Sequence, residues 1–136
     1  MFLIRLNDTE KEHFYRLAQM AAEANGEVRY EESNYLDLYA KEMSLGIGVL
    51  STVANITSDD IIRVFSKSEP SHKRIVLFET IVFMYVDGSF DEVERGFTYH
   101  FAEQIGYPKE DVDQLITLVE NFVASFTEIS NAILQE

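Results

Sequence analysis

Apolar residues recur at every third or fourth position through most of the chain, which is the spacing of one face of an α-helix. The spacing is most regular between residues 109 and 136. Glu110, Asp111 and Asp113 lie at the start of this stretch, where a helix dipole favours negative charge. We therefore predict one long helix at the carboxyl end. Its apolar positions are Val112, Leu115, Ile116, Val119, Phe122, Val123, Phe126, Ile129 and Ile133.

The first half of the chain predicts three shorter helices separated by turns. Asp8 or Thr9 can cap the first, and Gly26 can end it because glycine tolerates left-handed backbone. Ser58, with Asp59 beside it, can cap the third, which must end before Pro70. The second helix covers residues 30–43, with an apolar face formed by Tyr35, Leu38, Tyr39 and Met43.

Residues 70–86 are ambiguous when read alone. The run "IVLFETIVFMYV" is rich in β-branched and aromatic residues, so it fits a buried strand as well as a helix. Comparison of the chain with itself favours the helix, because placing Gly26 over Gly88, an offset of 88 − 26 = 62 residues, aligns the run with "LAQMAAEA". Further pairs at this offset are Val28 with Phe90, Glu32 with Glu94, Tyr35 with Phe97, Tyr39 with Phe101 and Met43 with Ile105.

These elements predict an all-α protein, a compact helical bundle of two pseudo-repeated helix-turn-helix units plus a long C-terminal helix. The units cover about residues 8–45 and 70–107 of a single domain, residues 1–136. No apolar run approaches the roughly 20 residues of a membrane span. The first residues also lack the apolar core of a signal peptide. We expect a cytoplasmic protein with no transmembrane segment.

Charge and composition narrow the classes of function. With 24 acidic and 11 basic residues, the net charge is −13, which repels phosphate backbones and makes nucleic acid a poor partner. Cations and basic protein surfaces are better partners. The absence of cysteine excludes disulfides, thiolate metal sites and cysteine nucleophiles. His13, His72 and His100 are scattered, and no phosphate-binding or nucleophile motif is present. We therefore predict that the protein is not an enzyme.

The segment "DGSFDEVE" holds the main candidate for a metal site. Asp87, Asp91 and Glu94 place carboxylates three and four residues apart, and Ca²⁺ or Mg²⁺ favours clustered oxygens. The register of an EF-hand is absent. A structural interpretation is also open, in which Asp91 caps the following helix and Glu94 lies in its first turn. The corresponding acids of the first unit, a weaker candidate set, are Glu27, Glu31 and Glu32.

An apolar helix that ends in Asp-Gly, followed six residues later by Glu and then by "FTYHFAEQIGY", resembles the tellurite-resistance TerB-like family. The segment "LNDTEKEHFYRLAQMAAEANGEVRYEE" resembles the first half of that domain. The resemblance implies an all-α bundle of paired helices in a family associated with bacterial stress response, proposed cation binding and protein complexes near the membrane. It implies no established enzyme activity. Asn25 stands where the first unit of the family usually has an acidic residue.

Two hypotheses about function follow from these observations. The first is an acidic interaction or sensor module that binds a protein partner, with a divalent cation at the Asp-Gly turn. The alternative is a small metal-dependent hydrolase, which would use Asp87, Asp91, Glu94 and Glu79 as ligands or base. A structural role as the subunit of a homo-oligomer is a third reading.

Overall fold

The computed structural model describes residues 1–24, 26, 28–85 and 90–135, and all regular structure within them is helical. The protein is therefore all-α, as the spacing of apolar residues predicts. Single turns of 3₁₀ helix occur at Leu3–Arg5 and Val53–Asn55. The α-helices are α1 (Asp8–Glu23), α2 (Tyr30–Glu42), α3 (Ile47–Leu50), α4 (Ser58–Ser66), α5 (Pro70–Met84), α6 (Glu92–Gln104) and α7 (Lys109–Leu134).

The helix limits follow the same offset of 62 residues. Helices α2 and α6 both contain 13 residues, and their first residues, Tyr30 and Glu92, differ by 92 − 30 = 62. The turns after these helices also correspond, because Ser44 and Gly106 have positive φ angles of 56° and 79°. The left-handed conformation at Gly106 is one that glycine adopts without strain. Two helix-turn-helix segments of matching length thus lie in the two halves of the chain.

Helix α5 forms the centre of the bundle, where it packs against α1, α6 and α7. Leu77, Ile81 and Phe83 have no exposed surface. The ring of Tyr39 on α2 lies 5.8 Å from the ring of Phe83 and 5.3 Å from that of Phe14 on α1. The ambiguous apolar run is therefore a buried helix, and aromatic packing joins it to the first two helices.

Two of the expected helix caps are wrong by one or two positions. Asn7, and not Asp8 or Thr9, caps α1, and Thr57, and not Ser58, caps α4. Both stretches contain several residues that can cap a helix, so composition alone does not choose among them. In both cases the residue used has an acid three positions later that bonds back to its amide, which completes a capping box.

The buried face of α2 also differs from the expectation. Leu38 is 55% exposed, whereas Leu36, Tyr39 and Ala40 are buried together with Met43. Leu38 is one residue from Tyr39 and two from Leu36, steps of roughly 100° and 200° around the helix axis, so the three cannot share a narrow face. The core side is centred between Leu36 and Ala40, and Leu38 points to solvent.

Helix α7 packs against the bundle mainly through its first half, although Val123 is also partly packed against the core. Val112, Ile116 and Val119 are buried, and the helix contacts α5 and α6. Between residues 121 and 135, however, no side chain is buried. At 1.5 Å per residue, residues 121–134 extend the helix by about 21 Å. The regular apolar stripe predicts the helix correctly but does not reveal that half of it lies outside the core.

Candidate functional site

Helices α2 and α6 each have at their third position a glutamate whose carboxylate accepts a hydrogen bond from the N-cap amide. At α6, the amide of Glu94 donates to the Asp91 side chain at 2.8 Å, and the amide of Asp91 donates to the Glu94 carboxylate at 3.1 Å. At α2, the amide of Arg29 donates to the Glu32 carboxylate at 3.0 Å. The capping role of Asp91 is therefore confirmed. Unusually for glutamates, Glu32 and Glu94 are 6% and 2% exposed.

The electrostatic surroundings of Glu94 are unfavourable to its charge. Burial is the largest reason that the pKa of Glu94 lies above its ordinary value of 4.5. The Asp91 amide lowers this pKa, but the charges of Asp91 and Glu32 raise it, as does a hydrogen bond between the Asp91 and Glu94 carboxyl groups. The charge of Glu32 thus acts on a residue 62 positions away in sequence, which brings the acidic starts of α2 and α6 to the same part of the fold.

This arrangement favours binding of a positive charge. Carboxylates that approach each other away from water repel, and either a proton or a metal ion can relieve the repulsion. The capping box of α4 provides a contrast, because there the Asp60 carboxylate lies 3.1 Å from the Arg63 guanidinium. Backbone hydrogen bonding to Thr57 is the main cause of a lowered pKa at Asp60, and Arg63 lowers it further. The same local motif is thus neutralised by an arginine at α4 and crowded by acids at α6.

The remaining members of the predicted metal sites are distributed as follows. Asp91 and Glu31 are exposed, at the cap of α6 and in the first turn of α2. Asp87 and Glu27 lie outside the described residues. Within the described part of the chain, no group of three or more His, Asp or Glu side chains is arranged to hold a metal ion.

Glu79 is buried, and its partners are in the first residues of the chain. Its carboxylate accepts hydrogen bonds from the amide of Phe2 at 2.9 Å and from the Met1 ammonium at 3.0 Å. Glu42 on α2 also binds the Met1 ammonium, at 2.8 Å. Glu94 has different partners, at the start of α6. The described geometry gives Glu79 a structural role in holding the amino-terminal turn.

A further buried carboxylate, that of Glu10 on α1, was not predicted from the sequence. It accepts hydrogen bonds from the Ser68 hydroxyl at 2.6 Å, from His72 Nδ1 at 2.8 Å and from the Asn7 amide at 2.9 Å. Burial is the largest influence on the pKa of Glu10 and raises it, but the three hydrogen bonds together outweigh burial, so this pKa is lowered from 4.5. The three-residue spacing of Asn7 and Glu10 is typical of a capping box and could have predicted the first of these hydrogen bonds. No sequence pattern predicts the contacts with Ser68 and His72, which are 58 and 62 positions later.

The described residues also form an open apolar groove between α1, α4 and α6. Leu17, Met20, Ile62 and Phe97 are among the residues that line it, and its volume is about 290 Å³. His100 lies at this groove and is exposed. His72 instead binds Glu10, so the two histidines have different surroundings.

Comparison with known proteins gives no match, whether with family models, curated proteins or solved structures. The resemblance to the TerB-like family therefore depends on the residues quoted above. Among the described helices, none combines the length and the apolar character needed to cross a membrane.

Proposed function

We propose that this protein is a non-enzymatic interaction or sensor module that binds a divalent cation, Ca²⁺ or Mg²⁺, where the acidic starts of α2 and α6 meet. Glu94 and Glu32 are the buried ligand candidates, and Asp87 and Asp91 of the Asp-Gly turn complete the set. The resemblance to TerB-like stress-response proteins supports the same function. The observation that carries the proposal is the burial of Glu94 near other acidic groups, because burial, followed by the charges of Asp91 and Glu32, raises its pKa.

Cation binding at this place would connect the two halves of the bundle. Glu32 and Glu94 each stand at the third position of a helix whose first residues follow a turn. An ion between them would neutralise the repulsion and restrict both turns at once. Because the remaining surface is strongly acidic, with a net charge of −13, the partner that we expect is a protein with a basic surface.

Calorimetric titration of chelator-treated protein with Ca²⁺, Mg²⁺, Mn²⁺ and Zn²⁺ tests the proposal. The variant that should abolish binding combines Asp87→Asn with Glu94→Gln, since glutamine can still accept the capping hydrogen bond. The matched control is Asp60→Asn, which removes a carboxylate from the capping box of α4, where Arg63 already balances the charge. Wild type and control should release the same heat with Ca²⁺.

Thermal and urea unfolding provide a second readout of the same site. A ligand that binds only the folded state stabilises it by about 2.7 kcal/mol when its free concentration is 100 times its Kd. We expect this increase in wild type and in Asp60→Asn, and no increase in the double variant. An equal cation response in all three proteins, or no response to any of the four metals, would contradict the proposal.

A further inference from the structure

Helix α7 carries an exposed apolar stripe beyond the bundle, which we call the tail stripe, formed by Phe122, Phe126, Ile129 and Ile133. These side chains are 47%, 63%, 55% and 72% exposed. The rings of Phe122 and Phe126 stack on each other with centroids 6.4 Å apart. Single exposed apolar residues are common on protein surfaces, but a continuous row of large ones marks an interaction surface.

The spacing of the tail stripe is that of a coiled coil. From Val119, its positions follow at alternating steps of three and four residues, which is a heptad pattern with apolar residues at a and d. In this register, Val119, Phe126 and Ile133 occupy a positions and Phe122 and Ile129 occupy d positions. The same alternation runs back through Leu115 and Val112, where the bundle covers the helix. In the first half of α7, the apolar stripe packs against α5 and α6. Beyond Val119, covering the stripe requires another helix.

Residues 121–134 are poorly suited to remain helical without a partner. Isolated helices shorter than about 12 to 15 residues are marginal in water even when rich in alanine. This segment instead contains several β-branched, aromatic and short polar residues, which have lower helix propensity. Since no side chain in it is buried against the bundle, a second helix along the tail stripe supplies the missing stabilisation.

The charge pattern indicates which kind of helix fits. Between residues 121 and 135 the only ionisable side chain is Glu128, and it occupies a c position away from the stripe. The e and g positions beside the stripe are neutral and mostly small: Val123, Ser125, Ser130 and Ala132. A basic partner would be matched by acids at these positions. Because the e and g positions are neutral, the helix that fits them has neutral e and g positions as well. In this otherwise acidic chain, the same segment of a second copy has that property.

A lipid surface is a poor match for the same helix. Helices that lie on membranes carry lysine and arginine on the polar face, which attract anionic lipids. After Lys109 the chain contains no basic residue, while acidic residues continue to Glu136. The charge of α7 therefore opposes binding to an anionic membrane.

The area of the tail stripe is appropriate for pairing. Large side chains have roughly 150–250 Å² of surface each, so the exposed fractions above leave on the order of 500 Å² of apolar surface per copy. A stable interface of standard size buries about 800 Å² on each partner. Leu118, which is 53% exposed and occupies a g position, and the small flanking residues contribute further area.

We propose that a second copy of this chain covers the tail stripe, so that residues 122–133 of two chains form a two-stranded coiled coil. The interface is isologous, because the same stripe contributes from both copies. An antiparallel arrangement places the two bundles, which carry nearly all of the negative charge, at opposite ends of the coiled coil. The tail stripe is on a different helix from Glu32 and Glu94, although Glu120, just before the stripe, lies 3.9 Å from Arg95 of α6.

The test uses two double variants that add the same charges on opposite faces of α7. Phe126→Glu with Ile133→Glu places two acids in the stripe, seven residues apart. Ala124→Glu with Asn131→Glu places two acids at f positions, also seven residues apart, on the outer face. Light scattering coupled to size exclusion should give twice the 15.7 kDa chain mass for wild type and for the outer-face variant. The stripe variant should have the mass of one chain.

Circular dichroism completes the experiment. We expect the stripe variant to lose the helical signal of about one residue in ten as its tail unfolds, while thermal unfolding of the bundle stays cooperative, because residues 121–135 bury no side chain. A wild-type mass of one chain, or of more than two, would overturn the proposal. So would equal dissociation of both variants, or a stripe variant that stays dimeric. The Asp87→Asn, Glu94→Gln variant should stay dimeric, which separates this proposal from cation binding.

Discussion

Substitution of Glu10 and Ser68 provides a quantitative test of the buried polar contact between α1 and the end of α4. The Ser68 hydroxyl donates to the Glu10 carboxylate at 2.6 Å, and Glu10 is 3% exposed. A hydrogen bond to a charged group contributes about 1.5–3 kcal/mol to stability. We therefore expect Ser68→Ala to lower the free energy of unfolding by about this amount at pH 7.

Glu10→Ala should have a larger effect. It removes the acceptor of three hydrogen bonds, from Asn7, Ser68 and His72. The donors it leaves behind can be partly satisfied, because Ser68 also donates to the Val64 carbonyl and the side chain of His72 is 20% exposed. Breaking a buried charged network of this kind destabilises a protein by about 3–5 kcal/mol, which is the loss that we expect.

Urea unfolding of wild type, both single variants and the double variant gives the coupling energy between the two side chains. The double variant should lose about 1.5–3 kcal/mol less than the sum of the two single losses, because either substitution alone already removes the shared hydrogen bond. The matched control is Ser66→Ala, since the Ser66 hydroxyl bonds mainly to the Ile62 carbonyl of its own helix, at 2.6 Å. Ser66→Ala should show no coupling to Glu10→Ala.

The coupling should also depend on pH. Because the pKa of Glu10 is lowered in the folded state, the stability it provides is fully present above the ordinary pKa of 4.5 and is lost as the pH falls through the lower, folded value. Lys67 and Glu69 line the same cleft as Ser68 and His72, so the comparison must be made between variants at each pH. Additivity within about 0.5 kcal/mol at pH 7 would refute the reasoning.

Two further predictions concern the acidic end and the core. In the absence of divalent cations, Glu94→Gln should be more stable than wild type at pH 7. The pKa of Glu94 is raised in the folded protein, so protonation of Glu94 favours folding. That stabilisation is fully present below pH 4.5 and is lost as the pH rises through the pKa of the folded state. Urea titrations should give the variant a higher free energy of unfolding than wild type at pH 7, and this difference should disappear at pH 4. A wild-type protein that is more stable than the variant at pH 7 would contradict the prediction. Leu77→Ala should lower the free energy of unfolding by about 2–5 kcal/mol, because Leu77 is fully buried in α5. Leu38→Ala, at a site 55% exposed, should change it by no more than about 0.5 kcal/mol, and similar losses for the two leucines would contradict the assigned face of α2.

Local sequence patterns predict most of the helices, but they do not predict which surfaces meet. The spacing of apolar residues, together with the offset of 62, assigned the run around Leu77 to a helix. A cap is chosen by one hydrogen bond, so the choice between Asn7 and Asp8 could not be made from composition. Whether Leu38 is buried or exposed depends on the direction in which α2 crosses its neighbours. The sequence of α2 alone does not determine that direction.

The candidate site shows the same division. The spacing of Asp91 and Glu94 was sufficient to predict the cap of α6. The electrostatic influence of Glu32 on the pKa of Glu94 joins residues 62 positions apart, and the internal repeat gave only a hint of it. Likewise, the hydrogen bond from the Phe2 amide to the Glu79 carboxylate joins residues that no local pattern relates.

That hydrogen bond has a consequence for synthesis of the chain on the ribosome. Leu3 is fully buried, and its turn packs against α5, while the Phe2 amide binds a carboxylate 77 residues later. At translation rates of about 5–20 residues per second, roughly 4 to 15 s pass before that carboxylate is made. Throughout this interval Leu3 and Leu6 have no native partner in α5, so the nascent amino-terminal segment is available to a chaperone.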